Sequence, residues 1–253
     1  MKHYEKLIEL GCFSRDDLIA ITGSDAAANS LIHDYLQKGF IERVRRDLYT
    51  VISIETKQPI PTRYQIVSRL FDNACVSHHS AFEYYGYANQ VFYEVYVTTQ
   101  NRFQSFEYDG VTYNRIAPRY EASEELSGGV RVTGLERTVI DSINDFEKVG
   151  GLEETLRCLM LIPALNPDKL LFTLAAYNSG FLYQKSGYLL ESLRDSLDLP
   201  ESFFAECRKH ISGSKKYLMK EHNNFVWHEK WRLYAPADIR AITNKGVTDY
   251  DEI

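Results

Sequence analysis

The sequence has no paired cysteines: Cys12, Cys75, Cys158 and Cys207 stand far apart, without a C-x-x-C or a Cys/His ligand spacing. A zinc or thioredoxin-like site is therefore not expected, and four reduced, mostly buried thiols in a cytosolic protein are. Long apolar runs are also missing. The longest uncharged stretch, 170–184, is 15 residues and includes Asn178, Ser179 and Gly180; a membrane span needs about 20 apolar residues. The start, Met1-Lys2-His3-Tyr4-Glu5, is too polar for a signal peptide, so a soluble cytoplasmic chain with no membrane partner is expected. Gly128-Gly129 and Gly150-Gly151 lack the spacing of dinucleotide or P-loop motifs, and neither G-x-S-x-G nor H-E-x-x-H occurs. His78 and His79 are neighbours that point about 100° apart on a helix, so they read as capping or core-edge histidines, not metal ligands. No catalytic residue, cofactor or metal is expected from these motifs. A large excess of one charge is absent too. The 253 residues carry 29 basic and 35 acidic side chains, a net charge of −6, which excludes indiscriminate coating of polyanions.

What is present begins with a small helical module. Tyr4, Leu7, Ile8 and Leu10 predict a short helix ended by Gly11, and Ser14 caps a second that Thr22-Gly23 breaks. Ser24 caps a third, in which Ala28, Leu31, Ile32, Tyr35 and Leu36 form one apolar stripe before Gly39. The runs 40–44 and 48–52, joined by Arg45-Arg46-Asp47, predict a hairpin. A helix-turn-helix with an appended hairpin is a winged helix. Its polar positions Ser24, Asn29, Ser30, His33 and Gln37 are candidates to read base edges, and Arg43, Arg45 and Arg46 to pair with phosphates or enter the minor groove. Winged helices also dock proteins. Residues 1–55 hold 7 basic against 9 acidic side chains, and Asp25 and Asp34 would repel phosphate if they faced it.

From Thr62 onward, helices and strands mix without a βαβ repeat. A strand at 92–99, a hairpin around Asp109-Gly110, a strand at 130–132 and a helix beginning near Leu135 predict an α+β body over 62–160. Arg137 and Asp141, at i,i+4, suit a structural ion pair better than acid/base chemistry. Four segments resemble the AbiEi family of antitoxins and transcriptional regulators of type IV toxin–antitoxin (abortive infection) systems. Arg45-Arg46-Asp47-Leu48-Tyr49 resembles its basic wing, with Asp47 where glycine is commoner. Val76-Ser77-His78-His79-Ser80-Ala81 to Gly86 is similar to its Ser-His-x-Ser-Ala segment, Val95-Tyr96-Val97-Thr98-Thr99 to the following strand, and Leu135-Glu136-Arg137-Thr138-Val139-Ile140-Asp141 to its Glu-Arg-Thr-x-x-Asp helix. The resemblance spans about residues 5–160. It implies autorepression through inverted repeats of double-stranded DNA in its own promoter, with neutralisation of a nucleotidyltransferase-like toxin by the C-terminal domain, a stable complex not being required.

The remaining third predicts further helices at 152–161, 169–177, 187–197 and 201–211. Residues 205–245 carry nine basic and four acidic side chains. Arg208, Lys209, Lys215, Lys216, Lys220, Lys230 and Arg232, interleaved with Tyr217, Phe225, Trp227, Trp231 and Tyr234, suggest a second basic surface facing nucleic acid or toxin. The alternative is a solvated basic face over core aromatics. The expected organisation is an N-terminal winged helix-turn-helix DNA-binding domain at 1–55, followed by a mixed α/β antitoxin domain at 56–253 whose part from 161 onward is helical. A non-enzymatic regulator is expected; the rivals are a metal-dependent nuclease or nucleotidyl-transferring enzyme using Glu136 and Asp141, and a docking module.

Overall fold

The computed structural model describes residues 3–120, 124–220 and 224–244. From the N-terminus run α1 (Tyr4–Leu10), β1 (Cys12–Ser14), α2 (Arg15–Thr22), α3 (Asp25–Gln37), β2 (Ile41–Arg45) and β3 (Leu48–Val51). Next come α4 (Arg63–Leu70), β4 (Cys75–Val76), α5 (His78–Tyr85), β5 (Glu94–Thr98), β6 (Phe106–Tyr108), β7 (Val111–Ile116), β8 (Glu124–Ser127) and β9 (Val130–Thr133). The last stretch holds α6 (Leu135–Asn144), α7 (Leu152–Leu161), α8 (Pro167–Tyr177), α9 (Gly180–Ser192), α10 (Glu201–Lys209), β10 (Lys216–Tyr217), β11 (Val226–His228), β12 (Leu233–Ala235) and α11 (Ala241–Asn244). The fold is α+β. Its two compact units are Met1–Val76, Phe92–Pro118 and Glu124–Val132 for the first, and Ser77–Val91, Arg119–Ser123 and Thr133–Ile253 for the second.

The first unit begins with a winged helix. A capping box starts α2: Ser14 Oγ accepts from Asp17 N at 3.1 Å, and Asp17 Oδ2 accepts from Ser14 N at 2.7 Å. Gly23, at φ 82°, then takes the left-handed turn that reverses the chain into α3. The stripe of α3 that faces inward, Ala28, Ile32 and Tyr35, packs with Leu7, Phe13, Leu18, Ile41 and Val51. Each buried aliphatic side chain contributes about 1.5–3 kcal/mol by leaving water. β1 is not evident from the pattern, which assigns nothing between Gly11 and Ser14. It pairs antiparallel with β3, Cys12 opposite Thr50, in a sheet of order β1-β3-β2. Its partner lies almost forty residues away, so no local signal marks it. The same unit carries a six-stranded sheet of order β6-β7-β5-β4-β9-β8.

The second unit is mainly helical, and its core gathers side chains of α5 to α10 with Trp231, Leu233 and Ala235. A small sheet of order β10-β12-β11 closes it, a set of short strands that the sequence pattern does not announce. The expected helix at 187–197 is corrected to Gly180–Ser192. Gly180 does not break the chain here; Ser179 Oγ caps α9 by accepting from Leu182 N, and a Cβ on Gly180 would lie 2.8 Å from Ser212 N. Gly187, inside the same helix, lies against the Trp231 ring: a Cβ there would sit 2.1 Å from Cζ3. Trp231 is 2% exposed and donates its indole N–H to Glu191 Oε2 at 2.8 Å, so it has no room to yield. Gly187→Ala is therefore expected to lower stability by about 1–3 kcal/mol in urea unfolding, against the gain of roughly 1 kcal/mol that glycine to alanine gives in an open helix. The sign of the change is the test. Among the described residues, no helix is long and apolar enough to cross a membrane.

Candidate nucleic-acid interface

The outward face of α3 presents Asn29, Ser30, His33 and Gln37, all exposed. Ser24 sits at the N-cap, where its hydroxyl accepts from Ala27 N at 3.3 Å. The two acids of this helix are not bare. Asp25 is paired with Arg15, whose Nε also donates to Asn29 Oδ1 at 3.0 Å, and Asn29 Nδ2 reaches Asp25 Oδ2 at 3.2 Å. Asp34 Oδ2 accepts from Lys38 Nζ at 2.7 Å. Local pairing cancels both negative charges, so the repulsion implied by the charge count is much reduced. Ser30, His33 and Gln37 are exposed, and their donors and acceptors face solvent.

The wing divides its three arginines. Arg46 stands at the tip with its side chain 93% exposed, beside Asp47, whose φ of 58° supplies the left-handed turn that glycine would otherwise make. Arg43 is exposed, with its guanidinium 5.5 Å from the Tyr49 ring centre. Arg45 is different, and the expectation that it contacts phosphate is corrected. Its guanidinium lies 5.5 Å from the ring centres of Phe71, Phe103 and Phe106, and Nη1 is buried. Three aromatic faces hold this cation within its own unit, where the rings' negative quadrupoles replace part of its hydration. Beside it, Tyr108 donates to Glu42 Oε2 at 2.9 Å.

The proposed C-terminal basic surface breaks up similarly. Arg208 pairs with Glu201 at 2.8 Å and lies over Trp231, Lys209 pairs with Glu206 at 2.6 Å, and Lys230 pairs with Glu191. Arg232 donates to Gly213 O at 2.6 Å. Glu191 and Glu201 precede the basic stretch 205–245, so an excess along the sequence is not an excess in space. Lys215, Lys216 and Lys220 remain exposed, Lys215 Nζ 5.2 Å from the Trp227 ring centre. Of the aromatics, Trp231 is core, while Tyr234 stacks on the exposed Tyr217 at 4.7 Å and lies tilted against Trp227 at 5.0 Å.

The acidic pair of the enzyme alternative is built into the framework. Glu136 Oε1 accepts from Asn166 N at 2.9 Å, ahead of α8. Asp141 accepts from Tyr177 at 2.6 Å and from Arg137 at 3.4 Å, the ion pair that the i,i+4 spacing predicts. Burial lowers His78 to about 3, which keeps that imidazole neutral. The structure also assembles a trio that no single motif contains: His79, Glu154 and Cys158, all buried. Its sequence traces are the His78-His79 pair and, far from it, a Glu and a Cys four apart on one helix face.

No protein-family model matches the chain, and no curated protein matches it. Its structure is similar to the crystal structure of the RV2827C protein from Mycobacterium tuberculosis, with a TM-score of 0.63 over 94% of this chain and 91% of that one. The two sequences are 14% identical, so what the likeness establishes is a common α+β fold.

Proposed function

We propose that this chain is a non-enzymatic transcriptional regulator that binds double-stranded DNA through α3 and the wing. It reads inverted repeats in its own promoter and also acts as the antitoxin of a nucleotidyltransferase-like toxin in the cytoplasm. The observation that carries the DNA reading is the outward face of α3: exposed Ser30, His33 and Gln37, two aspartates neutralised by Arg15 and Lys38, and a winged helix around them. Short polar side chains at that spacing suit the major groove, while Arg46 at the tip and Arg43 suit phosphates. The antitoxin role is supported by the ordered resemblance to AbiEi segments. Co-expression with a toxin encoded beside this chain, scored by growth rescue, tests it.

A gel shift on the region upstream of the gene tests the DNA reading. Arg43→Ala and Arg46→Ala together are expected to weaken binding about equally on specific and unrelated duplexes. The slope of log K against log salt should become shallower by about 0.9 for each phosphate that an arginine no longer neutralises. His33→Ala with Gln37→Ala should instead cost about 1–3 kcal/mol per base pair read, on the specific site alone. Arg45→Ala should leave the salt slope alone and lower stability instead. Unchanged affinity in both sets would favour a docking module.

A further inference from the structure

Between α5 and α7, three donors of different chemistry converge in the interior of the second unit. His79 on α5 is fully buried, and its Nε2 lies 3.4 Å from Glu154 Oε1 on α7. One turn further along α7, Cys158 Sγ lies 3.6 Å from the same oxygen. The ring nitrogen, the carboxylate oxygen and the sulfur all fall within 4.8 Å of one another. On the far side of the imidazole, Nδ1 faces Glu83 Oε1 at 3.3 Å, and that carboxylate is only 4% exposed. Glu154 is held in place from the loop after α5. The amides of Asn89 and Gln90 each donate to Oε1 at 3.1 Å, and Asn89 Nδ2 donates to Oε2 at 3.4 Å.

A tetrahedral cation bound at about 2.0–2.2 Å to nitrogen and oxygen and about 2.3 Å to sulfur sets neighbouring donors roughly 3.3–3.7 Å apart. Both measured distances to Glu154 Oε1 lie in that range. A carboxylate that accepts from the second nitrogen of a ligating imidazole fixes its tautomer and raises its basicity, and Glu83 Oε1 lies within 3.3 Å of that nitrogen, near enough to take the proton's bond after a small reorientation.

We infer that His79, Glu154 and Cys158 form a binding site for a divalent transition-metal ion of the zinc class, with Glu83 supporting the histidine. On binding, the Cys158 thiol loses its proton to solvent and forms a sulfur–metal bond. His79 coordinates through Nε2 while Nδ1–H donates to Glu83, and Glu154 supplies carboxylate oxygen. A mixed N, O and S set selects zinc or cobalt over magnesium or calcium, which take oxygen ligands. His79 and Glu154 are 75 residues apart, so the ion would tie distant parts of the second unit together and couple its occupancy to folding.

The test uses the full chain, stripped with a chelator and titrated with Co²⁺ and then Zn²⁺. The expected result is a thiolate-to-cobalt charge-transfer band that saturates at about one ion per chain. Zinc should displace it and raise the thermal midpoint. Cys158→Ser should abolish the band and His79→Gln should weaken it, whereas Cys207→Ser, on α10, should leave it unchanged. Absence of the band and of the midpoint shift in folded wild-type protein overturns the assignment, as does a band that survives Cys158→Ser. X-ray absorption of the zinc-loaded wild-type chain guards against variants that fail to fold. One sulfur among nitrogen and oxygen neighbours supports the site, and a shell without sulfur overturns it.

Discussion

Replacing Arg137 with methionine is expected to destabilise the chain by about 3–5 kcal/mol, the range for removing one partner of a buried ion pair. Arg137 is 2% exposed, and its guanidinium lies 4.8 Å from the Tyr120 ring centre with Nε 3.4 Å from Asp141 Oδ2. Burial already pushes the Asp141 carboxyl above its ordinary range, and the Arg137 charge works against that push. Without the arginine, the carboxylate keeps its hydrogen bond from Tyr177 and the weaker pull of Arg119, but loses its paired counter-charge. It must then either take up a proton or remain a buried charge. Arg137→Met combined with Asp141→Leu removes both charges and is expected to recover more than half of the deficit, since burying an ion pair repays little more than its own desolvation. Urea unfolding of the two single variants and the double variant measures this cycle. A drop below about 1 kcal/mol in Arg137→Met would show that solvent reaches the pair. The same experiment bears on the nuclease alternative. If Asp141 serves the framework, Asp141→Asn changes stability; an enzyme would lose a metal-dependent activity with its fold intact.

The helix carrying Arg137 shows what is legible in the sequence and why. Its apolar period and its i,i+4 pair are local, so both can be read directly from the text. The same holds for α3, where stripe, cap and terminal glycine agree. Long-range partners are not local. β1 exists because Cys12-Phe13-Ser14 finds β3, and three residues carry no period to detect. The start of α9 is misread because Gly180 looks like a breaker, whereas close approach of the Ser212 backbone leaves no room for a side chain. Arg45 points to DNA only by its place in a basic turn. Phe71, Phe103 and Phe106, which hold it, are supplied by segments 26–61 residues further along. The trio of His79, Glu154 and Cys158 has the same character: helices remote in sequence bring it together. Window charge fails for Lys230 and Arg208 because Glu191 and Glu201 lie outside the window.

Lys185→Met is expected to stabilise the protein at neutral pH, by about 1–3 kcal/mol. Lys185 is 6% exposed, with Nζ 4.0 Å from the Phe146 ring centre and 3.3 Å from Asn144 O. It borders a cavity of about 660 Å³ lined in part by Phe146, Phe181 and Tyr217. Burial lowers its pKa to about 8, with Asp145 opposing the shift. Near pH 7 the lysine is charged in both folded and unfolded chains, and the fold bears the cost of desolvating it. Between about pH 8 and the ordinary value of 10.5, the folded chain releases the proton while the unfolded chain keeps it. The unfolded state then binds more protons, so this residue's contribution to stability rises with pH across that window, by about 1.4 kcal/mol per unit. Cys12 and Cys207, both raised to about 12 by burial, act in the opposite direction. Their thiols ionise in the unfolded chain first, which lowers stability as pH rises above their ordinary value of 9.0. The net curve of the wild-type protein therefore does not isolate the lysine; the difference between wild type and Lys185→Met does. That difference should favour the variant at pH 7 and shrink steadily toward pH 10.5, as neutral lysine and methionine converge in cost. A difference independent of pH would mean that the ammonium is solvated from the cavity in the folded state.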